Sequence, residues 1–311
     1  MAKRVLKKTT RSIDVIGLGI IPLDLLFTVP HYPDPGGKTD ATHLIIQGGG
    51  PVPNTMVGLS RLGIKTAVIA AIGNDLFGKL SAEDLKREKV DARHLIIKRQ
   101  SSTAAAGFIE QQSGRRTIAL YRAIEVKPGD LTLSKYPTPK IVHLDGRDLA
   151  ACIKLANWAH RVGALVSFDI GSMRNDISPI LPLVDHLVVA DAFALPFTRS
   201  KTAEEAIAKL ALICPGTIVV TEGLAGSIGL EDGQFCRQKA YKVPVADTTG
   251  AGDAFHAGYL YGLLQEWALA ERLRFGAAVA ALKCGKPGAR TGAPKLAQVR
   301  AFLRKKPVTY A

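Results

Sequence analysis

Short runs of apolar, largely β-branched residues recur along this chain between stretches whose apolar positions fall at helical spacing, and that alternation restricts the fold more than any single motif does. Strands are expected at 13–17, 66–72, 141–144, 165–168, 187–189 and 217–220, and helices at 54–62, 81–89, 150–161, 203–213, 254–267, 269–284 and 296–304. Strands that read as unbroken apolar runs are buried on both faces, which implies a mostly parallel sheet with helices on either side, an α/β architecture. Two segments break the rhythm: 39–47 and 102–121 carry strand-forming residues with no helix between the strands, the second bent as a hairpin at Gln112-Ser113-Gly114. They predict a small β-sheet added to the core, a lid of about 31–48 and 101–125 over a cleft.

With 311 residues, 47% of them hydrophobic, the chain can bury a large core, and 12–311 is expected to form one α/β domain. The net charge of +14 sits at the ends. Lys3, Arg4, Lys7, Lys8 and Arg11 precede the first acid, Asp14, while Arg272, Lys283, Arg290 and seven more basic residues follow the last acid, Glu271. Residues 1–11 read as a disordered basic arm, and the C-terminal group as a solvated region or the binder of a small phosphate ligand. Nucleic acid is not the expected partner, because its binders spread basic groups and stacking aromatics over one face, and aromatics here are only 6%. Cys152, Cys214, Cys236 and Cys284 are widely spaced and the histidines form no zinc pattern, which suits a reduced, cytoplasmic protein without a zinc site. The apolar stretch 13–29 is interrupted by Asp14, Pro22 and Asp24, so no membrane span is expected.

The motif richest in chemistry is Asp247-Thr248-Thr249-Gly250-Ala251-Gly252-Asp253, which runs directly into a helix. Two glycines let consecutive N–H groups converge on an anion where the helix dipole adds positive potential, a phosphate cradle. Asp253, at the same helix start, is placed to take a proton from an alcohol attacking a γ-phosphate. The plainer reading, in which Thr248 or Thr249 with Asp253 merely caps a helix, leaves the paired glycines and the small Ala254, Ala257 and Gly258 unexplained.

That segment resembles the second signature of the ribokinase-like (PfkB) sugar kinases. Gly48-Gly49-Gly50-Pro51-Val52-Pro53-Asn54, with Gly73-Asn74-Asp75-Leu76-Phe77-Gly78 beyond it, resembles the first. The resemblance implies a three-layer ribokinase-like fold with a β lid, and transfer of phosphate from Mg-ATP to a hydroxyl of a small sugar. It makes Asp253 the catalytic base and Gly250, Ala251 and Gly252 the anion hole. Asp24, Gly49, Gly50 and Asn54 become sugar contacts, while Thr221, Gly223, Gly226 and Thr248, with Gly250 and Gly252, would hold ATP. Asp247 and Thr249 fall where many members bind a monovalent cation such as K⁺. The family's Asn-x-x-Glu near magnesium is replaced by Ala190-Asp191-Ala192-Phe193, leaving Asp191 to act through water. Pro51 and Pro53 stand where small or amide residues are common, stiffening that loop and removing donors.

Three further stretches, Gly48–Pro51, His143-Leu144-Asp145-Gly146-Arg147 and 275–288, are similar to ketohexokinase-like and sulfofructose-kinase-like members, which implies a fructose-like ketose. If Lys38 and Arg147 both face the sugar, an acceptor with an anionic tail is favoured; the alternative is that they lie on the surface, paired with Asp145 or solvent. A nucleoside acceptor and a non-catalytic sugar or nucleotide sensor are the other readings, and exposed lid edges suit a lid-to-lid homodimer. Gly73–Lys79 fits Gly-x-x-x-x-Gly-Lys, but Leu80 replaces the magnesium-binding hydroxyl and Asp75 would point charge into the cradle. Gly17-Leu18-Gly19 lacks the third glycine of a dinucleotide fingerprint, Pro22 standing in its place. His143, His160, His186 and His256 are isolated in sequence and are not assigned to the site.

Overall fold

The computed structural model describes residues 13–112, 116–173 and 176–306, so the arm at 1–11 and most of the Gln112-Ser113-Gly114 turn lie outside the described residues. The chain runs through β1 (Val15–Leu18), β2 (Leu23–Val29), β3 (His43–Gly48), α1 (Pro51–Arg61), β4 (Thr66–Gly73), α2 (Leu76–Arg87) and β5 (Asp91–Lys98). Next come β6 (Ala104–Glu110), β7 (Arg116–Tyr121), β8 (Ile141–Leu144), α3 (Leu149–Arg161), β9 (Leu165–Ile170), β10 (His186–Ala190), α4 (Asp191–Thr198) and α5 (Ala203–Leu210). It closes with β11 (Thr217–Thr221), β12 (Ser227–Glu231), β13 (Gln234–Gln238), α6 (Ala251–Leu264), α7 (Leu269–Cys284) and α8 (Leu296–Arg304).

The large sheet has the order β13-β12-β11-β10-β9-β8-β1-β4-β5 and is parallel from β11 to β5, with β12 and β13 adding an antiparallel edge. Alternation along the buried strands divides the core in two. Ile16, Leu18, Ala67 and Ile69 face α3 and α5, whereas Val15, Val68 and Ala70 face α1, α6 and α7. The result is the three-layer α/β fold that the strand pattern implies.

β1 lies between β4 and β8, so the winding direction reverses beside it and the loops after β1 and β8 part to form a crevice. Asp145, just past β8, spans that crevice and accepts a hydrogen bond from the Ile20 N–H at 3.0 Å. Helix α6 is packed all round, and its backbone lies so close to α7 that a Cβ on Gly258 would sit 2.7 Å from the Gly276 Cα. Small residues thereby fix the start of α6 against its neighbours.

The second sheet, β3-β2-β6-β7, gathers the strand-like segments outside the rhythm and includes β2, which the sequence does not mark. Unmarked as well are β5, with Asp91, Arg93 and His94 on the sheet's edge, α4, which holds Pro196, and the β12–β13 hairpin. Pro51 and Pro53 stiffen the first turn of a helix rather than a loop: α1 begins at Pro51, where the missing N–H has no intrahelical partner to lose. The Gly73–Lys79 stretch is filled by its own carboxylate, since Asp75 accepts from Gly78 N and Ser102 N, both at 2.8 Å. The C-terminal basic group is not wholly solvated. Arg272, Lys283 and Arg290 are buried and paired with Glu231, Asp247 and Asp84. None of the helices among the described residues is long and apolar enough to cross a membrane.

Candidate active site

Helix α6 begins on Gly250, whose φ of +75° is a left-handed conformation that glycine adopts without strain. No side chain caps the helix. Thr249, which could have done so, donates its N–H and Oγ1 to Asp247 Oδ1 at 2.8 and 2.7 Å. A Cβ on Gly252 would meet no other atom, so the turn opens to the cleft. An uncapped helix start facing a cavity offers N–H donors and positive dipole potential to an anion.

Asp253 occupies the first turn of this helix. Asn54 of α1 donates Nδ2 to Asp253 Oδ2 at 2.7 Å, and Thr55 donates Oγ1 to the Asp253 carbonyl at 3.2 Å. Burial pushes the Asp253 carboxyl up to about 7; neighbouring Asp169 adds to the rise, while the Asn54 hydrogen bond, His256 and Arg116 oppose it. A carboxylate poised near neutrality suits a general base. Arg290 holds Asn54 in turn: its Nε donates to Asn54 Oδ1 at 2.9 Å, its Nη2 to the Gly49 carbonyl at 3.1 Å, and its Nη1 pairs with Asp84. Asp24, on β2, is pushed up to about 6 by burial, against the pull of Arg290 and Arg116. Its carboxylate lies against Gly49 where any Cβ would stand.

Asp24, Asn54 and Asp253 line a cavity of about 860 Å³ between the large sheet and the second one. Asp24, Gly50, Asn54, Arg147 and the run Thr248–Asp253 all border it. Lys38 and Gly49 do not: Lys38 is exposed in the segment between β2 and β3, and Gly49 donates its N–H to the Pro22 carbonyl at 2.8 Å while its own carbonyl accepts from Arg290. Thr221 ends β11 and Gly223 and Gly226 form the turn that follows, and Asp191 opens α4 with its Oδ1 accepting from Ala192 N at 2.7 Å, all outside the residues lining that cavity. Asp247 is fully buried beneath the turn.

Sequence reasoning did not assign Arg116 on β7, Arg122 just past it, or Asp145 and Asp169, to this cavity. Asp169 could have been found as the one acid in the otherwise uncharged, wholly buried β9. His143 and His256, isolated in sequence, come together with ring centroids 5.3 Å apart, and His256 Nε2 lies 3.0 Å from Asp169 Oδ1. The Asp169 carboxylate is thus held beside Asp253 by a partner from α6 itself.

The family described as pfkB family carbohydrate kinase matches residues 11–296. The chain is 27% identical to a 5-dehydro-2-deoxygluconokinase of Shouchella clausii, over 96% of this chain and 98% of the relative. It is 28% identical to a ribokinase of Haemophilus influenzae, over 92% and 97%. Among solved structures, ribokinase from Thermotoga maritima superposes with a TM-score of 0.82 at 22% identity, covering 94% of this chain and 99% of that one. Arabidopsis thaliana ribokinase complexed with ribose and ATP gives 0.79 at 24%, with 94% and 99% covered.

Proposed function

Because this chain belongs to the PfkB family of carbohydrate kinases, and so is a phosphotransferase acting on a sugar hydroxyl, we propose that it moves the γ-phosphate of Mg-ATP to a small sugar with Asp253 as general base. One observation carries the mechanism. Asp253 lies in the first turn of a helix whose start is uncapped and open to the cavity, so base and anion cradle share one turn. The acceptor hydroxyl would lose its proton to Asp253 as it attacks, while the N–H groups of Gly250 and Gly252 would bear the charge of the transferred group, the Ala251 N–H being donated to the Thr248 carbonyl at 3.0 Å. ATP, bound over Thr221, Gly223 and Gly226, would supply the phosphate, and Asp191 would reach its magnesium through water.

Asp24, Gly50 and Asn54 would bind the sugar's other hydroxyls, with Gly49 behind them. The acceptor we infer is a ketose-type sugar bearing an anionic group. Its support is the cavity wall: Arg116 and Arg147 border it, beside an Arg122 already paired with Asp148, and guanidinium groups suit a carboxylate or sulfonate. A sugar acid is also what the name of the Shouchella relative denotes. The second sheet would close over the cavity and exclude water. Its exposed Leu44 and Ile46 on edge strand β3 suit pairing with a second copy. The test is ADP release from Mg-ATP with neutral and anionic ketoses. Turnover that is highest on an anionic ketose supports the reading, and preference for neutral fructose removes the anionic group from it.

A further inference from the structure

We propose that the Lys283 ammonium is a built-in cation beneath the anion-binding turn, standing where the resemblance assigns a bound monovalent ion, so that this chain needs no such ion. The inference rests on the phosphotransfer reading and concerns the same site.

Lys283, on α7, and Asp247 are each 0% exposed. A buried lysine is rare unless it is paired. Its Nζ donates to the Asp247 carbonyl at 2.7 Å and lies 3.8 Å from Asp247 Oδ2. That Oδ2 also accepts the Gly288 N–H at 2.7 Å, and Oδ1 accepts both donors of Thr249. Both carboxylate oxygens and the carbonyl of Asp247 are therefore already bound by the chain's own donors. A monovalent ion at this place would compete with these donors and sit against an ammonium of its own sign, so the residues do not fit K⁺.

What the pair holds is the frame of the anion cradle. Asp247 leads through Thr249 into Gly250, and Ala289, next to Gly288, stands 2.7 Å from where a Gly250 Cβ would be. Asp247, held by Lys283 of α7 and by the Gly288 N–H, thus ties the segment entering the turn to the loop that packs behind it. Burial draws the Lys283 pKa down, and the Asp247 carboxylate draws it back up, with smaller pulls from Cys284 and Asp253. Carried by the chain, this cation costs no capture step and is present at every salt concentration.

The test replaces potassium by sodium or choline at constant ionic strength and follows both melting temperature and ADP formation. For the wild type we expect neither to change by more than about twofold in rate or about 1 °C in melting temperature, since an ion with no site gives no linkage. Lys283→Ala, which leaves a cation-sized gap beside Asp247, should lose roughly tenfold or more of its turnover in choline, because an unpaired buried carboxylate is left behind. Potassium or ammonium should restore part of that turnover and raise the variant's melting temperature. Lys283→Met, which fills the gap without charge, should stay low in every salt.

A wild type whose melting temperature or turnover rises severalfold beyond those limits with potassium overturns the proposal, as does full turnover of Lys283→Met in choline. The wild-type measurement needs no variant to fold. Melting temperature reads the cation without any acceptor, so absence of ADP in every buffer counts against phosphotransfer alone.

Discussion

Asn54 donates a 2.7 Å hydrogen bond from Nδ2 to Asp253 Oδ2, so a side chain on α1 favours the charged form of a carboxylate on α6. Removing that donor should make Asp253 harder to ionise. The wild-type kcat/KM is expected to rise with pH through about 7, the pKa to which burial pushes Asp253, because only the carboxylate accepts a proton. In Asn54→Ala the limb should move upward by about one pH unit, the scale of one lost charge-assisted hydrogen bond. A pH–rate profile that stays in place would mean that Asn54 contacts only the sugar.

The same carboxylate has an opposite effect on stability. Asp253 is raised from 3.8 to about 7 on folding, so the folded state holds its proton where the unfolded state has released it. Its contribution is therefore neutral at low pH and turns unfavourable as pH climbs from about 4 to about 7. Asp253→Asn, which mimics the protonated form, should lose about 10²-fold or more of its turnover and melt about 2 °C or more above the wild type at pH 8. Near pH 4 the two melting temperatures should converge. A variant less stable than the wild type at pH 8 would contradict this.

Arg290 joins Asp84, Asn54 and the Gly49 carbonyl inside the protein. Arg290→Ala takes from the Asp84 carboxylate its buried counter-charge, leaving it the Gly48 N–H and the exposed Arg87, a loss of about 3 kcal/mol, the lower end for a broken buried pair. Chemical denaturation should show that loss, and Arg290→Met with Asp84→Leu should recover part of it. Equal destabilisation by the single and double variants would place the cost in packing instead.

Arg116 and Arg147 face the cavity from the second sheet and from the end of β8. Replacing either by alanine should raise KM for an anionic ketose by about tenfold or more while altering neutral fructose little, as loss of one charge-assisted contact predicts. Lys38→Ala, outside the cavity, should leave both unchanged. Equal effects on charged and neutral acceptors would remove the anionic contact.

The parts of this site that the sequence makes legible are those that lie in one run. Gly250, Gly252 and Asp253 sit on a single turn, and their meaning needs only local geometry. The alternation of apolar runs likewise carries the three layers, because burial on both faces is written into the central strands β1, β4, β8 and β9. Asp169 and the pair His143 and His256 were opaque for the opposite reason: β8, β9 and α6 bring them together only through sheet order and packing. Lys283 was hidden differently. Among the basic residues after Glu271 it looks like solvated charge, and nothing in its neighbours reveals that α7 turns it inward onto Asp247. β2 was missed because Asp24, a polar residue in an apolar run, reads as an interruption when it is a side chain aimed into the cavity.

The most direct test of the whole account measures ADP release from Mg-ATP across ketoses, aldoses, sugar acids, a sulfonated ketose and adenosine, with Asp253→Asn beside the wild type. Strong turnover on an anionic ketose, falling by about 10²-fold or more in the variant, is the predicted result. A folded Asp253→Asn that keeps near-normal turnover, or turnover confined to adenosine, would contradict it.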